Sequence, residues 1–107
     1  MTIPDINLAQ NGPVERYLAI LREHRADFAE RYRIRELAVF GSYVRNEQHA
    51  DSDLDVLVSF TKPPSLLTLV KLEEELSDLL GVKVDLAVKS ALRPRIATQI
   101  LSEAVPV

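Results

Sequence analysis

The chain has 107 residues, 47% of them hydrophobic and 27% charged, with 13 Lys+Arg against 16 Asp+Glu and a formal charge of −3. This composition is that of one globular domain and argues against a disordered chain. The absence of cysteine excludes a disulfide scaffold, a thiolate metal site and a cysteine nucleophile; the acidic balance disfavours direct nucleic-acid binding, and the apolar runs are too short for a membrane span of about 20 residues.

Residues 1–12 are polar and broken by Pro4, Asn11 and Gly12, and read as a tail before one domain over 13–107. No basic stretch followed by an apolar run opens the chain, so a cytoplasmic location is expected. Pro13 suits the first turn of a helix, where its missing N–H costs nothing. Val14, Tyr17, Leu18, Leu21, Phe28 and Tyr32 then recur at helical spacing, which predicts an amphipathic helix over 13–31. Residues 36–40 read as a short buried strand ended by Gly41-Ser42, and 43–52 as a polar loop with one helical turn at its start.

From Leu54 the pattern alternates. Leu54, Val56 and Val58 point one way, Asp53, Asp55 and Leu57 the other, which predicts a strand over 54–59. Pro63-Pro64 ends it and Ser65 is a helix N-cap. Leu66, Leu69, Val70, Glu73, Leu76 and Leu80 give a helical period up to Gly81, a C-terminal cap. Val82, Val84, Leu86 and Val88 alternate with Lys83, Asp85, Ala87 and Lys89, a third strand. Pro94 opens a last helix through about Ala104, and Val105-Pro106-Val107 is an apolar tail expected against the core. A small sheet with helices on one face buries these stripes, an α/β (α+β) architecture.

The chemistry is concentrated in Asp53, Asp55 and Asp85. Asp53 and Asp55 are two residues apart on a strand, so their side chains leave the same face, with Cα atoms about 6.5–7 Å apart. Like charges on a rigid strand repel and raise at least one pKa unless a cation relieves them. Oxygen ligands with no Cys and only His24 and His49 elsewhere select a hard ion, Mg²⁺ or Mn²⁺. Asp85 lies mid-strand between Val84 and Leu86. If the third strand pairs beside the second, Asp85 joins the same face, and three carboxylates can hold two metals about 3.5–4 Å apart. The plain alternative is that Asp-x-Asp is a solvated strand face. Gly41-Ser42 ends a strand with free backbone N–H groups and a hydroxyl, a small anion cradle. The ten residues between Ser42 and Asp53 allow the cradle to face the carboxylates. Phosphate on one side and metal on the other make a nucleoside triphosphate site.

Gly41-Ser42, ten residues, Ser52-Asp53-Leu54-Asp55 and a third aspartate on a later strand resemble the nucleotidyltransferase fold of the DNA polymerase beta superfamily. Residues 39–45, 52–58, 79–86 and 100–105 narrow the likeness to the minimal nucleotidyltransferase (MNT) domain, over roughly residues 14–107. The family often has Gly after the arginine; this chain has Asn46, which tolerates a left-handed backbone. The resemblance implies a small mixed β-sheet with helices packed on one face. It implies an antitoxin that transfers AMP from ATP to a tyrosine of a HEPN-family ribonuclease toxin and silences it. It assigns Gly41 and Ser42 to the β- and γ-phosphates, with Arg45 approaching phosphate from the same loop. Asp53 and Asp55 ligate two Mg²⁺ ions, and Asp85 ligates the catalytic metal and acts as, or orients, the base on the attacking hydroxyl.

The elements use almost every residue, so the acceptor is expected to dock from another chain. Arg31, Arg33 and Arg35, and the pair Arg93 and Arg95, are either a docking surface or solvated charge. Tyr43, next to the cradle, is a candidate to stack on a base, on the strength of one aromatic alone. Two other readings stand beside transfer to a tyrosine: a non-catalytic partner acting by occlusion, and nucleotidyl transfer to a small-molecule or RNA hydroxyl.

Overall fold

The computed structural model describes residues 12–107. The tail expected over 1–12 therefore lies, but for Gly12, outside the described residues. In chain order the elements are α1 (Pro13–Tyr32), β1 (Ile34–Phe40), β2 (Leu54–Phe60), α2 (Leu66–Leu80), β3 (Val84–Val88), a 3₁₀ turn (Lys89–Ala91), α3 (Pro94–Glu103) and β4 (Val105–Pro106). The sheet runs β3-β2-β1-β4. β1 is antiparallel to β2 and β4, and β2 is parallel to β3. The mixed α/β fold is thus the one expected, with one strand added. The apolar tail pairs as an edge strand, Ala38 with Pro106 and Val39 with Val105.

Local rules set the boundaries. Pro13 starts α1, and Arg33, in the left-handed region at φ 58, ends it. The Ser65 hydroxyl accepts the Thr68 N–H, and Gly81 at φ 71 closes α2, as cap chemistry requires. β1 begins two residues earlier than the alternation suggested. A bulge between Ile34 and Glu36 puts two exposed residues, Arg35 and Glu36, between buried Ile34 and buried Leu37. One extra residue shifts the period by one.

One sheet face makes the core. Leu37, Val39, Leu54, Val56, Val58 and Val84 pack against Leu18, Leu21 and Phe28 of α1 and Leu72, Leu76 and Leu80 of α2. Each large aliphatic side chain buried this way contributes about 1.5–3 kcal/mol. The α2 stripe is rotated from its expected position: Leu72 is fully buried, whereas Leu66 and Val70 are exposed. Arg31 ties the two helices together. It pairs with Asp27 and Glu75, and its guanidinium lies over the Phe28 ring. Tyr32 donates its hydroxyl to Glu75 at 2.6 Å. These hydrogen bonds hold Glu75 down at about 2. Arg31 is thus a bridge between α1 and α2 rather than a free solvated charge. Among the described residues no helix is long and apolar enough to cross a membrane.

Candidate active site

The opposite sheet face carries Asp55, Leu57, Asp85 and Ala87. The parallel register puts Asp55 beside Asp85 and Leu57 beside Ala87, at the 4.7–4.9 Å spacing of neighbouring strands. The two aspartates expected to meet are thus adjacent, on the face away from the core. Phe40, the last residue of β1, pairs with Asp55 on its other side, so Gly41 follows at the same end of the sheet. Asp53 precedes β2 by one residue, and the Leu54 N–H donates to the Lys83 carbonyl at 2.8 Å, which fixes the approach of β3.

Gly41 and Asp55 are in direct contact. Gly41 has φ +85, and a Cβ built there would lie 2.1 Å from the Asp55 carboxylate Oδ2. Both backbone and space demand glycine. The loop then turns sharply: Val44 and Arg45 donate their N–H groups to the Gly41 carbonyl, and Glu47 donates to that of Ser42. Asn46 closes the turn at φ 58, so the departure from glycine is accommodated. Ser42 is half-buried. Tyr43 is buried and meets Tyr17 edge to face, centroids 5.6 Å apart. Its candidate role of stacking on a base is overturned, because the ring is consumed by the core.

Electrostatics follow from this crowding. Burial pushes the Asp55 carboxyl above its ordinary range, and the charges of Asp85 and Asp53 push it further. Among the described residues no three acidic or imidazole side chains converge on one point. Asp53 leans toward Lys83, its Oδ2 4.0 Å from Nζ, Asp55 lies against Gly41 and Asp85 is exposed. Repulsion between like charges favours this spread. The donor set is oxygen only, with like charges crowded around Asp55, and fits a hard divalent cation.

Arg45 belongs to the same end of the sheet but is already paired. Its guanidinium reaches Glu47 at 2.9 Å and Glu103 at 2.9 Å. Glu103, the last residue of α3, also accepts the Gly41 N–H at 2.7 Å. Sequence reasoning did not single out Glu103, since no local pattern links position 103 to position 41. The remaining candidate cations Arg33, Arg35, Arg93 and Arg95 are exposed. Arg35 borders a hollow of about 270 Å³ with Arg25, Leu57, Lys89, Leu101 and Val107, farther along the open face.

Comparisons with known proteins bear on this arrangement. The nucleotidyltransferase domain family model matches residues 21–107. The protein adenylyltransferase MntA of Thermococcus cleftensis is 49% identical over 92 residues, which are 86% of this chain and 93% of that protein. A solved structure provisionally assigned as a minimal nucleotidyltransferase superposes with a TM-score of 0.70 at 39% identity, covering 87% of this chain and 90% of the other. A chain from the complex of tri-AMPylated HEPN toxin with MNT antitoxin of Shewanella oneidensis gives a TM-score of 0.63 at 15% identity. It covers 84% of this chain and 70% of that one, a likeness of fold.

Proposed function

The chain belongs to the nucleotidyltransferase domain family, and from that membership we propose an antitoxin that transfers AMP from ATP to a tyrosine of a HEPN-family ribonuclease toxin. The modification neutralises the toxin. The observation that carries this reading is the register of Asp55 beside Asp85 with Gly41 packed on Asp55: two carboxylates on neighbouring strands, one of them in contact with the glycine bend. In this reading Gly41, Ser42 and Arg45 hold the β- and γ-phosphates. Asp53, Asp55 and Asp85 hold two Mg²⁺ ions, which when bound neutralise charge on the transferring phosphorus. The tyrosine Oη attacks the α-phosphorus in line, the bond from that phosphorus to the pyrophosphate oxygen breaks, and Asp85 receives the hydroxyl proton. Asp85 is exposed and Asp53 and Asp55 only half-buried, which leaves the acidic end open to an acceptor from another chain. Docking of that chain supplies the orientation on which much of the rate depends. The relatives support the reading: the Thermococcus protein is an adenylyltransferase by name, and the Shewanella complex contains an AMPylated toxin.

The test is transfer of label from α-labelled ATP, with Mg²⁺, to a HEPN-family partner. Asp53→Asn is expected to lower transfer at least a hundredfold while leaving the melting temperature without divalent cation unchanged or higher. Loss of apo stability would instead make Asp53 structural. Occlusion without catalysis draws support from the spread of the carboxylates. It requires Asp55→Ala to protect cells from the toxin as well as the wild type does.

A further inference from the structure

Glu103 occupies the donors that the proposed site gives to phosphate. Its carboxylate accepts the Gly41 N–H at 2.7 Å, and each of its oxygens lies 2.9 Å from Arg45 Nη1. A phosphate oxygen asks for the same partners: a backbone N–H at a strand end and a guanidinium. A backbone N–H has one hydrogen, so the Gly41 donor serves Glu103 or a phosphate and not both. The charge balance points the same way. The Glu103 charge acts on Asp55 in the same sense as Asp85 and Asp53 do. A triphosphate arriving with Glu103 in place meets four carboxylates, and the nearby guanidinium is already shared between Glu103 and Glu47.

The surroundings let the carboxylate leave. No residue of α3 is buried, and the Glu103 side chain is 22% exposed, so its rotation opens no core. Its backbone is meanwhile anchored, since β4 begins two residues later and Val105 pairs with Val39. Glu103 thus carries its charge outside the core on an anchored backbone.

We infer that Glu103 is a built-in stand-in for substrate phosphate, holding the Gly41 N–H and the Arg45 guanidinium until a nucleoside triphosphate displaces it, and so setting nucleotide affinity. This rests on the reading of Gly41, Ser42 and Arg45 as the phosphate cradle. Glu103→Gln keeps a carbonyl for the Gly41 N–H but removes the charge. The probe is AMP-PNP with Mg²⁺, titrated calorimetrically into the full chain, with a thermal melt of each variant alongside. Glu103→Gln is expected to bind about tenfold tighter than wild type, the scale of one charge-assisted hydrogen bond released. In the transfer assay the KM for ATP falls and kcat changes less than twofold. If Glu103→Gln fails to fold, Glu103→Asp, one methylene too short to span both donors, carries the same expectation. A merely structural Glu103 gives the opposite sign, with unchanged or weaker binding in the folded variants, and that result overturns this inference alone. If neither wild type nor variant binds AMP-PNP, the phosphate-cradle reading and this inference both fall.

Discussion

At Asp55 the packing of Gly41 and the proximity of two further carboxylates act on a single group. Burial and then the charges of Asp85 and Asp53 raise its pKa, so the folded chain binds this proton more tightly than the unfolded chain does. Stability from this group is therefore lost as pH rises from the ordinary 3.8 through the raised folded-state value. Asp55→Asn removes that loss. Without divalent cation, its melting temperature is expected to exceed the wild type's at about pH 7, the gap closing toward about pH 3. Melts over that range check it; an Asn variant at or below wild type at neutral pH would contradict the electrostatic account. The shared face of Asp55 and Asp85 was legible in the sequence because strand periodicity assigns side chains to faces, and the turn at Asn46 because that residue tolerates a left-handed backbone. Glu103 was not, because its partners lie 62 and 58 positions away. Tyr43 was misread for a related reason: adjacency to a loop says nothing about which way a ring turns, and here Tyr17 takes it into the interior.

Among the elements, α2 separates what a helical period can tell from what it cannot. Its limits were plain from Ser65 and Gly81, but its leucine-rich sequence offers more than one apolar stripe. Packing chose Leu72, Leu76 and Leu80 and left Leu66, Leu67 and Val70 in solvent. Leu76→Ala is expected to cost about 2–5 kcal/mol, and Leu66→Ser less than about 0.5 kcal/mol. Chemical denaturation distinguishes the two, and equal effects would mean that the exposed stripe is covered in solution. The bulge at Arg35 and the pairing of Val105 with Val39 escaped the sequence for one reason. Each is decided by a neighbouring strand, and a two-residue strand has no period to detect.

Over the whole molecule the last three residues hold more than their length suggests. Val107 donates its N–H to the Leu37 carbonyl at 2.9 Å, and Arg22 reaches the Pro106 carbonyl at 2.8 Å. Val105 and Val107 pack at the edge of the core. Removing residues 105–107 is expected to lower stability by about 2–4 kcal/mol, a large share of the roughly 5–15 kcal/mol of a domain. Faster amide exchange at Ala38 and Val39 would locate the loss on β1, and unchanged exchange there would refute it. The parallel pairing of β2 with β3 has a temporal consequence. The β1–β2 hairpin is available to a nascent chain once residue 60 has left the ribosome, but Asp85 reaches Asp55 only after the α2 crossover closes, a non-local step that is slow by its topology. A nascent segment ending before β3 therefore carries the glycine bend, Asp53 and Asp55 but lacks Asp85, and the proposed centre assembles only once α2 and β3 have both been made.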